Sequence, residues 1–300
     1  MISPLDTNIT DVALVLEGGS MRVSYNAPLV VKLIEQQLWF DYVSGVSAGA
    51  SHALNYLSRD AERTRRSFVE LGNDPQMGSW FTWLQGKGRL NAEYIYQHTA
   101  APGEVLPFDF ETFAANPATM RFSAFDVEAG EEVWWTKDDC ATLTDLMLRV
   151  RASSSMPILM PPTFIDGRMY ADGACGVNAG IPLGVAQADG YERFLIVLSQ
   201  PRKFTKIPDA PHLLFRTWLR EHPKLIAGMI DRTARYNRLR AEIAELEASG
   251  KAYVFYSESI PYPNTLQNLR KLRANYNAGA RQSEQELPRM LKWLRPYISR

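Results

Sequence analysis

Ser47 stands at the centre of Gly45-Val46-Ser47-Ala48-Gly49, a G-x-S-x-G pattern. The apolar run Tyr42–Val46 precedes it and a helix-compatible run, Ala48–Leu57, follows. A serine on a sharp strand-to-helix turn can act as an exposed nucleophile. Such a turn strains the backbone and brings the residues two positions away on each side together, so a Cβ at Gly45 or Gly49 would crowd it. A helix starting at about Ala48 points its N-terminus at the serine, where it favours developing negative charge. A glycine-lined tight turn with no chemistry is the plain alternative. A second candidate is Glu17-Gly18-Gly19-Ser20-Met21-Arg22. Successive glycines after a strand can turn backbone N–H groups inward as an oxyanion hole. A dinucleotide loop of the form G-x-G-x-x-G fails here, because Ser20 and Val23 occupy glycine positions. A third candidate is Asp172 in Tyr170-Ala171-Asp172-Gly173-Ala174, although an Asp-Gly pair is most often a turn.

A serine nucleophile usually works with a histidine base. None of His52, His98, His212 and His222 stands in a motif. His52 follows Ser47 by five residues on the elbow helix, which turns it away from the nucleophile or deeper along the helix. The cysteines and histidines have no metal-ligand spacing, so no metal and no cofactor is expected.

These residues need a scaffold. The run Asp11–Glu17 is nearly all apolar and ends at Gly18-Gly19, as a buried parallel strand does. Leu29, Val30, Leu33, Ile34 and Leu38 recur at helical spacing over Tyr25–Leu38. Strand, helix, strand (Tyr42–Val46) and helix in close succession predict a parallel sheet. A helix is expected over Ala61–Leu71 and irregular chain from Pro75 to Pro107. Arg121–Val127 and Glu131–Thr136 flank Glu128-Ala129-Gly130 as a hairpin. Its Trp134-Trp135 pair should put one ring in the core and one at the rim. A helix over Thr142–Ser153, capped by Thr142 or Thr144, ends before Pro157, Pro161 and Pro162, which impose extended backbone. Arg193–Ser199 and Ala252–Tyr256 read as strands. Two helices are expected over His212–Ser249, broken near Pro223, and a largely helical stretch over Thr265–Ile298. Helix Leu213–Ile230 mixes apolar residues with Arg216, Arg220 and Lys224. A core helix with a basic solvated face is its simpler reading, and a helix lying on a bilayer the other. One α/β domain with a helical C-terminal portion accounts for the whole pattern.

Composition bounds the function. The chain has 300 residues, 46% hydrophobic and 22% charged, with 33 basic and 33 acidic side chains. The zero net charge gives no pull toward nucleic acid. Cys140 and Cys175 make no disulfide framework, and reduced thiols fit a cytoplasmic setting. The first ten residues lack a basic segment followed by an apolar one, so no signal peptide is expected. No run reaches the about 18 apolar residues of a transmembrane helix. Any membrane contact is therefore expected to be peripheral.

Taken together, the three blocks resemble the patatin-like phospholipases. A glycine-rich loop after the first strand (Gly18-Gly19-Ser20-Met21-Arg22), G-x-S-x-G (Gly45–Gly49) and D-G-[AG] (Asp172-Gly173-Ala174) occur in the family's order. Arg151-Ala152-Ser153-Ser154-Ser155-Met156-Pro157 is similar to a further family segment, R-A-S-S-A-x-P. The resemblance covers roughly residues 11–200, read as the catalytic core, with 201–300 as a mostly helical extension packed on the same domain. It implies a three-layer α/β/α hydrolase with a mostly parallel central sheet. It also implies a lipid acyl hydrolase of phospholipase A or lysophospholipase type, acting on a lipid or lysolipid ester. Ser47 would attack the ester and Asp172 would accept its proton. Gly18, Gly19, Ser20 and Arg22 would form and orient the oxyanion hole.

Two departures stand out. The family loop reads G-G-G-x-[KR]-G, and here it reads G-G-S-M-R-V. Ser20 is expected to resist φ > 0, and Val23 adds a β-branched side chain. Glycines at both positions would be expected to cost about 1 kcal/mol each through added flexibility. The stretch between Asp172 and Pro182 is also slightly longer than the family pattern. Ile158, Leu159, Met160 and Phe164 are candidates for an acyl pocket, with core packing as their simpler reading. An acyltransferase or small-ester esterase using the same dyad, and a lipid-binding pseudoenzyme with an altered loop, stand as alternatives.

Overall fold

A computed structural model describes residues 5–207, 219–258 and 268–299. Its strands are β1 (Ala13–Leu16), β2 (Tyr42–Val46), β3 (Thr119–Asp126), β4 (Glu131–Trp135), β5 (Thr163–Ile165), β6 (Arg168–Asp172), β7 (Phe194–Leu198) and β8 (Ala252–Tyr256). β1, β2 and β7 are buried at every position, as their continuous apolar runs require. β3, β2, β1, β7 and β8 lie side by side and parallel, while β4, β5 and β6 extend the sheet antiparallel.

Alternation along the strands supplies two cores. Leu14, Leu16, Val43, Leu195, Val197 and Phe255 face one side, under helices Ala27–Glu35, Ala48–Leu57 and Leu143–Ser154 and the end of helix Leu269–Leu294. Ala13, Val15, Tyr42, Ile196, Leu198 and Val254 face the other, under helices Leu183–Ala188 and Pro223–Ala248. The result is a three-layer α/β/α fold with a mostly parallel central sheet and a helical C-terminal region.

Some boundaries differ from expectation. The helix expected over Tyr25–Leu38 is confined to Ala27–Glu35, because a 3₁₀ turn, Ser20–Tyr25, takes up the chain before it. The stretch 75–107 contains a short helix, Trp80–Leu84, and a π turn, Tyr94–His98. The hairpin β5–β6 was not expected. Its turn is Asp166-Gly167, both at positive φ, the pattern of a two-residue hairpin. Helices Phe110–Ala115 and Leu183–Ala188 are also additional. Thr142 is the cap of helix Leu143–Ser154, through a capping box with Asp145. Trp135 is the inward ring of its pair, packed between Phe122 and Tyr170. Residues 208–218, which include His212 and the start of the helix weighed for a bilayer surface, lie outside the described residues. The described helix begins at Pro223, where the break was expected, and buries Leu225 beside Phe125 and Cys175.

β3 positions the site. β4 pairs with its residues Phe122–Asp126 along one edge. β2, which pairs with Thr119–Ser123, and β6, which pairs with Ala124–Asp126, must therefore share the other edge, end to end. β2 is parallel to β3 and β6 antiparallel, so their C-terminal ends meet. Val46 lies opposite Ser123 and Asp172 opposite Ala124. The next residue after Val46 is Ser47.

Candidate active site

Ser47 caps the helix Ala48–Leu57 with φ 57° and ψ −129°, a strained backbone for a residue with a side chain. The close approach is real at both glycines. A Cβ on Gly45 would lie 2.4 Å from the Gly49 carbonyl oxygen, and one on Gly49 would lie 2.2 Å from the Leu16 carbonyl oxygen. The Ser47 hydroxyl donates to Asp172 Oδ2 at 2.7 Å, and both side chains are buried. The other carboxylate oxygen, Oδ1, accepts the Ala174 backbone N–H at 2.8 Å. Burial raises the Asp172 pKa above the usual carboxylate value, against the opposing pull of Arg232, the Ala174 N–H and the Ser47 hydroxyl. Such a carboxylate is a stronger base than one in water and is held in one orientation.

The run Ser153-Ser154-Ser155 at the end of helix Leu143–Ser154 serves three neighbours. Ser153 Oγ accepts the Ser47 backbone N–H at 3.0 Å. Ser154 Oγ accepts the Tyr96 hydroxyl at 2.9 Å. The Ser155 carbonyl accepts the Asp172 backbone N–H at 2.9 Å. Sequence reasoning marked this segment but gave its serines no task.

The loop after β1 lies against the elbow: a Cβ on Gly18 would sit 3.0 Å from Ser47 Cβ. The Gly18 N–H donates to the Gly180 carbonyl at 3.0 Å, so the longer stretch after Asp172 arches back and ties to this loop. The backbone N–H groups of Gly19 and Ser20 have no acceptor among the described residues. Arg22 is second in sequence after Ser20 in the 3₁₀ turn, and its carbonyl accepts from Asn275 Nδ2 at 3.2 Å.

Ser20 adopts φ 50°, the conformation it was expected to resist. Ser20→Gly should therefore relieve backbone strain of roughly 1 kcal/mol rather than cost that much. Val23 turns its side chain into a core, fully buried with Ala27, Ala48 and Phe68, and its Cγ1 lies 3.0 Å from where a Cβ on Gly19 would stand. Val23→Gly should cost about 2–4 kcal/mol, because it empties a packed site. Thermal denaturation of the two single variants is expected to move their melting temperatures in opposite directions, or to leave that of Ser20→Gly unchanged.

An apolar cavity opens beside Ser20 and Ala48. Met21, Leu54, Phe68, Leu71, Met77, Leu90, Ile95, Leu106, Met147 and Met160 contribute to its wall. Its volume is about 60 Å³. Of the four side chains proposed for an acyl pocket, only Met160 reaches it. Phe164 is 57% exposed on β5, and Ile158 and Leu159 are partly buried outside the lining. Periodicity could not find Met77, Leu90, Ile95 and Leu106, which the irregular stretch 75–107 contributes to the wall.

None of the three described histidines, His52, His98 and His222, bonds to Ser47 or Asp172. His52 is buried, its Nε2 lies 3.2 Å from the Val23 carbonyl, and its ring packs on Phe68. Burial pushes its pKa down to about 4. His98 is an exposed partner of Glu93. His222 precedes Pro223 at the helix start. Among the described residues, no group of three His, Cys, Asp or Glu side chains could hold a metal ion.

The C-terminal helices reach the site from behind, which sequence reasoning missed. In helix Pro223–Ala248, Arg232 Nε donates to the Ala179 carbonyl at 3.4 Å and Arg235 donates to the Cys175 carbonyl at 3.0 Å. The Tyr236 hydroxyl donates to Glu17 Oε1 at 2.8 Å. One helix thus holds both the stretch after Asp172 and the end of β1. Arg232, Arg235 and Tyr236 fall at i, i+3 and i+4, the spacing of one helix face, which was the available signal.

A serine on a strand-to-helix turn, above a mostly parallel sheet and against a buried carboxylate, defines an α/β/α protein of the patatin fold. The family model described as patatin-like phospholipase matches residues 14–187, and the chain belongs to that family. The family is one of lipid acyl hydrolases. A second model, described as a domain of unknown function (DUF6363), matches residues 222–295. Among solved structures, the chain is similar to VipD from Legionella pneumophila. Identity there is 11% and the TM-score 0.47, over 97% of this chain and 67% of that one. Among the described residues, no helix is long and apolar enough to cross a membrane.

Proposed function

We propose that the protein cleaves acyl esters of lipids or lysolipids, as a phospholipase A or lysophospholipase does, by a Ser47–Asp172 dyad. The observation that carries the reading is the 2.7 Å hydrogen bond from Ser47 Oγ to Asp172 Oδ2 in a buried site beside an apolar cavity. Ser47 Oγ attacks the ester carbonyl carbon while its proton passes to Asp172. The N–H groups of Gly19 and Ser20 receive the oxyanion, where one such donor contributes about 3–4 kcal/mol. Gly18 shapes that loop and Arg22 orients it. The intermediate collapses, and the leaving alkoxide takes the proton from Asp172. Water then attacks the acyl-enzyme, gives its proton to Asp172, and releases a fatty acid as Ser47 regains its own. The chemistry uses no cofactor. Residues 201–300 act in this reading as an extension packed on the catalytic core, with Arg232 tempering the basicity of Asp172.

A fluorophosphonate probe tests this directly. Ser47 Oγ should displace fluoride and form a stable phosphonate ester, giving a labelled band that Ser47→Ala lacks. No labelling of the wild type would favour the lipid-binding pseudoenzyme. Adding alcohol acceptors to the ester assay separates an acyltransferase, which would pass the acyl group to them in preference to water.

A further inference from the structure

Trp80, Phe81 and Leu84 expose 67%, 68% and 76% of their surface on one short helix, Trp80–Leu84. Three large apolar side chains held in water within five residues mark a contact site. The helix is anchored, not loose. Ser79 caps it, and the buried Thr82 hydroxyl bonds the Ser79 and Gly88 carbonyls at 2.9 and 3.0 Å. Arg89 donates its backbone N–H to the Leu159 carbonyl at 2.7 Å. That ties the loop to the chain between Ser155 and β5. The apolar face is therefore presented outward by a fixed base.

What covers this face follows from its charge and its feet. Between Pro75 and Asn91 the charged side chains are Lys87 and Arg89, both basic. The Arg89 guanidinium lies 4.4 Å from the Trp80 ring centroid, a cation–π contact that sets positive charge beside the aromatics. Aromatic rings with a basic rim suit the boundary between acyl chains and anionic head groups. Met77 and Leu90, at the two feet of the loop, line the cavity that opens beside Ser20 and Ala48. We propose that Trp80, Phe81 and Leu84 insert into an anionic lipid surface, with Lys87 and Arg89 on its head groups, and so seat the cavity on its substrate. This rests on the reading of the site as a lipid acyl hydrolase, whereas the docking can be measured without any hydrolysis.

The test is co-sedimentation with phosphatidylcholine vesicles, with and without phosphatidylglycerol. Wild type should bind the anionic vesicles more tightly, and added salt should weaken that binding. The Trp80→Ser/Phe81→Ser/Leu84→Ser variant should bind at least about tenfold more weakly. The Phe81→Ser/Leu84→Ser variant keeps the Trp80 contacts with Trp83 and Arg89 and should lose most of the same affinity. Both should hydrolyse a water-soluble butyryl ester at the wild-type rate. Lys87→Glu should weaken binding to anionic vesicles alone. Ser47→Ala should bind vesicles as wild type does, so a dead active site and a failed docking surface give different results. Unchanged vesicle binding by the double variant overturns the proposal. So does a wild-type dimer in solution that the double variant converts to monomer, since a second copy would then cover the face.

Discussion

Ser47→Ala is expected to lower kcat on a short-chain nitrophenyl ester by roughly 10⁵- to 10⁶-fold, the size found when a serine nucleophile is removed. The geometry explains why little should remain. Ser47 Oγ is the hydroxyl that meets Asp172 at 2.7 Å. Removing it leaves no hydroxyl on the elbow in line with that base. The neighbouring Ser153 hydroxyl is engaged with the Ser47 backbone N–H, and Ser154 with Tyr96. The fold should survive, because the Ser47 backbone N–H and its strained turn remain and the Cβ is already accommodated. Losing the hydroxyl bond leaves a buried Asp172 oxygen without its donor, which costs about 1–3 kcal/mol when the carboxylate is charged. Steady-state kinetics and a melting curve on the same preparation check both halves. More than a few per cent residual activity in a folded variant would place the nucleophile elsewhere.

The elbow is legible in the sequence because its constraint is local. Gly45 and Gly49 are needed within one turn, and the carbonyls they avoid belong to the elbow itself and to the adjoining strand. Asp172 is different. An Asp-Gly pair carries almost no information alone, and what brings it to Ser47 is register along β3, a partner distant in sequence from both. The cavity wall was harder still. Met77, Leu90, Ile95 and Leu106 come from a stretch with little regular structure, where apolar residues follow no period. The Asp166-Gly167 hairpin had a clear turn signal, but its strands of three and five residues are too short to show alternation. Ser20 and Val23 illustrate the limit of position-by-position comparison. Each departs from the family loop, yet one bends the loop at φ 50° and the other packs in a core beside the elbow helix.

Asp172→Asn should lower kcat by about 10⁴-fold, comparable to losing the carboxylate of a serine hydrolase, and should leave the protein at least as stable at neutral pH. Orientation decides the first effect. Oδ1 accepts the Ala174 N–H at 2.8 Å, so an asparagine must set its carbonyl oxygen there. Its NH₂ then faces Ser47 Oγ, and a donor cannot take the serine proton. Burial decides the second. The folded state raises the Asp172 pKa, so its carboxyl binds a proton more tightly folded than unfolded. That contribution favours folding in acid and is lost as pH rises from the unfolded value, about 3.9, through the raised folded one. A neutral asparagine has no such loss, so the stability gap should widen over that window and hold constant above it. With Asp172 as the proposed base, the same protonation should switch off the wild type, and kcat/KM should fall as pH drops through the folded Asp172 pKa. Arg232 opposes the rise, so Arg232→Met should move this acid limb to higher pH. His52, its pKa pushed down by burial to about 4, is the competing source of an acid limb. The limb should persist in His52→Gln and shift in Arg232→Met. A limb that disappears with His52, or a loss of about 10⁴-fold in a folded His52→Gln protein, would make the histidine the base and leave Asp172 as its orienting partner.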